Sequence, residues 1–192
     1  MAKIDRITTK GGDRGQTTLY RVGRVPKNHP HIEALGALDE LDSWLGLAWA
    51  VNNQAGHTRV CQSLRQLQDG VASVLNEVAL APSHSARAEE RVSAQQLSVV
   101  EELTETAKQE QPESLSSHGF VTPSGQVEVA MLHVLRSQAR RAERSVVAVS
   151  DDLEADSLVI PYLNRLSDCC FALAMALQAE LSASATLKNP AE

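Results

Sequence analysis

Ile32, Leu35, Leu38, Leu41, Leu45 and Ala48 recur at spacings of three and four, which puts them on one face of a long helix. The same period returns in Val60, Leu64, Leu67, Val71, Val74 and Val78, predicting a second helix over about 58–80. A third is expected over about 88–110, with Leu97, Val100 and Leu103 apolar and Glu and Gln outside. A fourth is expected over 126–150 on Val127, Met131, Val134, Leu135, Ala142 and Val146. A fifth is expected over 157–185 on Leu163, Leu166, Phe171, Leu173, Ala174 and Leu177. Asn52, Asn53 and Gly56, then Pro82 to Ser85, then the Ser/Gly/Pro-rich stretch 112–125 punctuate them. Five long helices with modest connections imply an all-α fold, an antiparallel up-and-down bundle of ferritin-like type. Aromatic residues are 3% of the chain, so the core must be built from Leu, Val and Ala, and no run reads convincingly as a strand. The 192 residues suit a single domain. It divides into an N-terminal segment 1–30, a bundle 31–185 and a tail 186–192.

Composition narrows the function classes. Eighteen Lys and Arg against 24 Asp and Glu give a formal charge of −6, which argues against nucleic acid as a partner for the bulk surface. No apolar run approaches the ~20 residues of a membrane span. The start, Met1 to Arg6, lacks the apolar stretch of a signal peptide. Three cysteines, odd in number and without metal-ligand spacing, suit a reducing cytoplasm.

The chemistry concentrates in three places. The opening loop carries Gly11, Gly12 and Gly15, hydroxyls at Thr9, Thr17 and Thr18, and cations at Lys10, Arg14 and Lys27. Backbone amides, hydroxyls and ammonium groups together are what a polyphosphate needs, although the spacing fits neither the P-loop nor GxGxxG. The plain alternative is a flexible polar arm. In the fourth helix Arg136, Arg140 and Glu143 stand at i, i+4 and i+7, with Arg141 and Arg144 on a neighbouring stripe. Arginines set among apolar residues should be partly buried and need anionic partners; the alternative is a solvated face of Arg–Glu pairs. In the fifth helix Asn164 and Asp168 share a face. Asp168 can neutralise an arginine of the fourth helix, and Asn164 can bond a ribose or base; the alternative is a polar clasp between helices. On the first helix Asp39 lies near the apolar stripe and calls for a cation, whereas Glu40 and Asp42 read as surface acids. Cys169 and Cys170 read as packing residues. His29 and His31 flank a proline in a loop, too few for a metal site, and His84 and His118 are loop residues without a partner in sequence. Trp44 and Trp49 read as packing residues.

These pieces resemble one family. Thr9-Lys10-Gly11-Gly12-Asp13-Arg14-Gly15 resembles the opening T-K/R-T-G-D-K/D-G loop of the ATP:cob(I)alamin adenosyltransferases of the propanediol-utilisation type. Arg24 to Lys27 is similar to their R-V-x-K, and Glu33 to Asp42 to their E-A-x-G-x-x-D-E-L-N. Gly119 to Gly125 is similar to F-x-x-P-x-G, Arg140 to Arg144 to R-R-A-E-R, and Tyr162 to Asp168 to Y-L-N-R-L-S-D. The blocks occur in family order and span most of the chain.

The resemblance implies a five-helix bundle assembling as a homotrimer, with ATP held between neighbouring subunits. Thr9, Lys10, Gly11, Gly12, Asp13, Gly15, Thr17, Thr18 and Lys27 would wrap the triphosphate and adenosine. Arg140, Arg141, Ala142, Glu143, Arg144 and Asn164 would complete the nucleotide site. The catalytic set would be Arg136, Arg140, Glu143, Asp168, Asp39 and Phe120, with Arg136 pairing Asp39 across the subunit boundary and Phe120 packing where the corrinoid's lower ligand is excluded. Mg²⁺ would bridge the phosphates without a direct protein ligand. The implied reaction moves the 5′-deoxyadenosyl group of ATP to the cobalt of cob(I)alamin, giving adenosylcobalamin and triphosphate. A corrinoid reductase and an adenosylcobalamin-dependent enzyme are the implied partners. The competing reading is a non-catalytic trimer that binds ATP or adenosylcobalamin for delivery or sensing; Gly11, where the family carries threonine, and Val22 stand on that side. A third is a plain helical scaffold whose arginines are only ion pairs.

Overall fold

The structure is a computed structural model that describes residues 8, 10–81, 91–110 and 125–188. Its elements run β1 (Gln16–Leu19), β2 (Gly23–Pro26), α1 (Pro30–Gln54), α2 (Thr58–Leu80), α3 (Ala94–Glu110), α4 (Val127–Val147) and α5 (Val159–Lys188), with a single helical turn at Ser150–Asp152. Among the described residues five long helices are present, as the apolar periods require. α4 packs along α5 and against α1, α1 against α2, and α3 against α5.

The periods fixed α2 to the residue: Val60, Leu64, Leu67, Val71, Val74 and Val78 are all buried. In α1 the buried face starts one residue earlier than the stripe drawn from Ile32 and Leu35, on His31, Ala34, Ala37, Leu38, Leu41, Leu45 and Ala48. Each such leucine contributes about 1.5–3 kcal/mol by leaving water. In α4 the stripe is Val129, Leu132, Leu135, Ala139, Ala142 and Val146, and Val127 is exposed. Leu135, Ala142 and Val146 of the expected stripe are buried, whereas Met131 and Val134 are half-buried, and the buried row starts at Val129.

α3 begins at Ala94, not at about 88. Ser93 Oγ accepts from the Gln96 amide at 3.2 Å, and Gln96 Oε1 accepts from the Ser93 amide at 2.9 Å. That reciprocal pair is a capping box, and the sequence carried it as Ser-x-x-Gln. α5 contains a stretch, Val159–Thr186, long and apolar enough by composition to cross a membrane, against the expectation that no such run exists. Its apolar residues line the core, where Tyr162, Leu163, Leu166, Ala174 and Leu177 are buried.

The expectation of no strands is corrected as well. β1 and β2 form an antiparallel hairpin with Gln16 opposite Pro26 and Leu19 opposite Gly23. Tyr20, Arg21 and Val22 make the turn, with Arg21 at φ 55° and Gly23 at φ 108°; only glycine takes the second without strain. Leu19 and Val25 are buried, and two apolar positions in eight are too few to show a period.

Candidate functional site

The α4–α5 seam carries the polar groups. α4 turns its apolar stripe to the core, so the residues between successive stripe positions come out beside α5. Arg140, Glu143, Arg144 and Val147 of α4 and Asn164 of α5 line one open cavity of about 300 Å³. Asn164 Nδ2 donates to Glu143 Oε1 at 3.3 Å, and Arg165 Nη1 donates to Asn164 Oδ1 at 3.5 Å. Arg140 and Arg144 are exposed and have no ion-pair partner among the described residues. Two guanidinium groups therefore face one carboxylate, and the surplus positive charge sits in a concave, solvent-reached place. That arrangement suits an anion, with Asn164 and Val147 left to meet a polar and an apolar part of the same ligand.

From Lys10 onward the segment before α1 is folded, not a free arm. Arg24 Nη2 donates to the Gly11 carbonyl at 2.7 Å, and the Lys27 amide donates to the Gly15 carbonyl at 2.9 Å, which turns residues 11–15 back onto β2. A Cβ on Gly12 would lie 3.1 Å from Lys27 Nζ, so the bare glycine lets the ammonium close over the loop backbone. Lys10, at φ 58°, Gly11, Asp13 and Gly15 are exposed. Thr17 and Thr18 are neighbours on β1 and so project from opposite faces of the hairpin. None of these loop residues lines the α4–α5 cavity within one chain. Thr9 and Phe120 lie outside the described residues.

Several expected site residues have other surroundings. Ala142 is fully buried in the core and presents no side chain to the cavity. Arg141 faces α1, where its guanidinium pairs with Glu40 and, at 3.8 Å, with Glu33, while its Nε donates to Gln138 at 3.1 Å. Glu40 is thus a partner and not a bare surface acid. Asp39 and Asp168 are exposed and have no partner among the described residues, so the expected neutralisation of an α4 arginine by Asp168 does not occur within the chain. Arg136 bears out the expectation of partial burial: its Nε is buried without a hydrogen-bond partner, and its guanidinium lies 6.0 Å from the Phe171 ring centre. His133, one turn before it, is buried against the same ring, and burial together with the Arg136 charge pushes its pKa down.

Other contacts escaped the sequence reading. Tyr162 is fully buried, donates to the Leu67 carbonyl at 2.9 Å, and lies so close to Gly70 that any side chain there would collide with the phenol ring. Glu77, also buried, accepts from the Val92 amide at 2.8 Å and from Ser157 Oγ at 2.6 Å, while Arg91 pairs with Asp156 at 2.6 Å. Burial pushes the Cys169 thiol up to about 11 and raises Cys170 as well, in line with packing roles. Among the described residues no group of His, Cys, Asp and Glu side chains is arranged to hold a metal ion.

A sequence model of the cobalamin adenosyltransferase family matches residues 7–177. The chain belongs to that family. The cobalamin adenosyltransferase relatives include the corrinoid adenosyltransferase PduO of Citrobacter freundii, 35% identical over 170 residues that make up 88% of this chain and 49% of that protein. The chain spans about half the length of the PduO proteins it matches. The corrinoid adenosyltransferase of Bacillus subtilis is 34% identical over 91% of this chain and 87% of its own length. Among solved structures, a variant of the PduO-type ATP:corrinoid adenosyltransferase of Lactobacillus reuteri, complexed with cobalamin and ATP, superposes with a TM-score of 0.78 at 29% identity, covering 90% of each chain. The blocks Arg140 to Arg144 and Tyr162 to Asp168, which carried the resemblance to this adenosyltransferase family, meet at the cavity.

Proposed function

We propose that the chain transfers the 5′-deoxyadenosyl group of ATP to the cobalt of cob(I)alamin or a related corrinoid, releasing triphosphate. The observation that carries this reading is the pair of unneutralised guanidinium groups, Arg140 and Arg144, in a cavity that Asn164 also lines, in a chain of this family. The cobalt electron pair attacks C5′; the Co–C bond forms as the C5′–O bond to triphosphate breaks. Cobalt passes formally from Co(I) to Co(III), so no further oxidant enters. The nucleophile is the corrinoid metal itself, which is why the chain needs no Ser–His pair or general base. Its work is to hold C5′ and cobalt in line and to stabilise charge gathering on the leaving triphosphate. Arg140 and Arg144, with Lys27 and the amides of the Gly11–Gly15 turn, have the chemistry for the second task. Mg²⁺ belongs in this reading to the nucleotide phosphates, and no step is assigned to it on the protein.

The same reading places the protein in the cytoplasm as a ferritin-like homotrimer with ATP between subunits. Asp39 of one subunit then reaches Arg136 of the next, which supplies the anion that the buried Nε lacks within one chain. Phe120 excludes the lower cobalt ligand, a reductase supplies cob(I)alamin, and an adenosylcobalamin-dependent enzyme takes the product. Mixing the protein with chemically reduced cobalamin and MgATP tests the reaction. Loss of the cob(I)alamin band with growth of a light-sensitive alkylcobalamin is expected; ATP binding with no spectral change would overturn it. Asp39→Asn is expected to weaken assembly in sedimentation or raise the KM for corrinoid, and no change in either would remove the pairing.

A further inference from the structure

The two histidines beside Pro30 have a role that metal-ligand counting missed. His29 is the N-cap of α1: its ring Nδ1 accepts from the His31 amide at 3.3 Å, and the two rings stack 5.8 Å apart. His31, in the first turn, is buried, and its Nε2 lies 2.8 Å from Asp152 Oδ2. Asp152 belongs to the helical turn that follows α4, 121 residues further along the chain, and its side chain is half-exposed. The histidine is thus rooted in the core while its carboxylate partner sits at the surface.

The position of this bond gives it meaning. Only Lys27, Asn28 and His29 separate β2 from α1, and the His29 amide donates to the Pro26 carbonyl at 3.0 Å. The hairpin that carries Lys27 and the glycine turn is therefore oriented by the first turn of α1. On the other side Asp152 follows Val147, the last cavity-lining residue of α4, by five residues and leads into α5 and Asn164. The linker is tied again at Asp156 by Arg91 and at Ser157 by Glu77, so its far end is already fixed.

We propose that the His31–Asp152 hydrogen bond is a positioning clamp, joining the entry of the N-terminal phosphate-binding loop to the linker that spaces the Arg140/Arg144 and Asn164 sides of the nucleotide cavity. The inference rests on the adenosyl-transfer reading for its substrate but not for its geometry. His31 touches no substrate; it acts through Lys27 and the turn behind it. A donor–acceptor pair with a charged acceptor is strong enough to hold a loop whose turn is otherwise restrained by the exposed Arg24–Gly11 bond and the Lys27–Gly15 backbone bond.

The test measures kcat and the KM values for ATP and corrinoid, with MgATP Kd by calorimetry, in wild type, Asp152→Ala, His31→Ala, His31→Gln and the double alanine variant. Asp152 is at the surface, so its removal leaves the core intact even if His31→Ala loosens the fold. Asp152→Ala is expected to raise both the KM for ATP and the Kd about tenfold, the loss of one charge-assisted bond, with corrinoid KM within twofold of wild type. The double variant should be no worse than the worse single one, and His31→Gln, whose amide donates from a similar reach, should restore most of the ATP affinity. Unchanged ATP affinity in Asp152→Ala, additive single effects, or equal losses for ATP and corrinoid would overturn the clamp. A wild type that binds MgATP but alkylates no cobalt would sink the transfer reading while the Kd series still judges the clamp.

Discussion

The two flanks of α4 use adjacent arginines in opposite ways. On the α1 flank Arg141 meets two carboxylates, Glu33 and Glu40, and a glutamine. On the α5 flank Arg140 and Arg144 have no ion-pair partner among the described residues, and the Glu143 carboxylate beside them in the cavity is bonded to Asn164. Consecutive positions, 140 and 141, hold an unsaturated cation and a saturated one. A saturated guanidinium fastens helices, whereas an unsaturated one in a concave place is a standing demand for an anion.

The sharpest way to break this contrast is Arg140→Ala. The side chain is exposed and packs no core, so the melting temperature should stay near that of wild type. If it stabilises the departing triphosphate, kcat/KM should fall by roughly 100-fold to 1,000-fold, the cost of removing one preorganised group opposite developing charge. Wild-type turnover in this variant would strip the α5 flank of its assigned role.

Gly70→Ala comes next and probes what holds the α5 side of the cavity from behind. Helix propensity alone predicts a gain of about 1 kcal/mol for alanine inside α2. The structure predicts the opposite sign, because the new Cβ would overlap the buried Tyr162 ring two residues before Asn164. Overpacking of this kind costs about 1–3 kcal/mol. Denaturant unfolding should show a lowered midpoint, with the KM for ATP raised as Asn164 shifts; a stabilised variant would mean that α5 is not seated on α2 through Tyr162.

How much of this was readable beforehand follows from range. Helix periodicity is a local property, so α2 came out to the residue from Val60 to Val78. Hairpin formation is local too, but Leu19 and Val25 are too sparse a signal, and the turn depends on positive φ at Arg21 and Gly23. The cavity set Arg140, Glu143, Arg144 and Asn164 was legible because R-R-A-E-R and Y-L-N-R-L-S-D arrive as blocks. Val147 was not, since an exposed valine one turn past the block looks like ordinary surface. Nor was the sorting of Arg141 to α1, because that depends on which flank of α4 faces α1, and a stripe correct at Leu135, Ala142 and Val146 does not say which helix lies on which side. His31–Asp152 and Gly70–Tyr162 join residues 121 and 92 positions apart and leave no mark in either local pattern.

Gly12→Ala is a smaller probe, aimed at the loop and not at the helices. Gly12 does not need positive φ, so alanine fits the backbone, and its Cβ meets the flexible end of Lys27 at 3.1–3.2 Å and the Gln16 carbonyl at an ordinary 3.5 Å. The ammonium must give way by a few tenths of an ångström. Stability should be unchanged, and the KM for ATP should rise about threefold, under 1 kcal/mol. No change in KM would detach Lys27 from the phosphates and leave the α4–α5 cavity to act without the hairpin.

Arg141→Ala should have the smallest effect, and that smallness is its value. The pair with Glu40 is partly exposed, with about a third of the Arg141 side chain and nearly half of Glu40 reached by solvent (36% and 45%). Such pairs contribute up to about 1 kcal/mol, and less at high salt. Double-mutant analysis with Glu40→Gln should return a coupling of that size in unfolding experiments, shrinking between low and high ionic strength. Turnover should fall by less than about threefold, since nothing on the α1 flank reaches the cavity in the chain. A 100-fold loss for Arg141→Ala, as large as that expected for Arg140→Ala, would show that the saturated arginine leaves its carboxylates when nucleotide arrives, and that pairing in the free chain does not separate structural cations from ligand-binding ones.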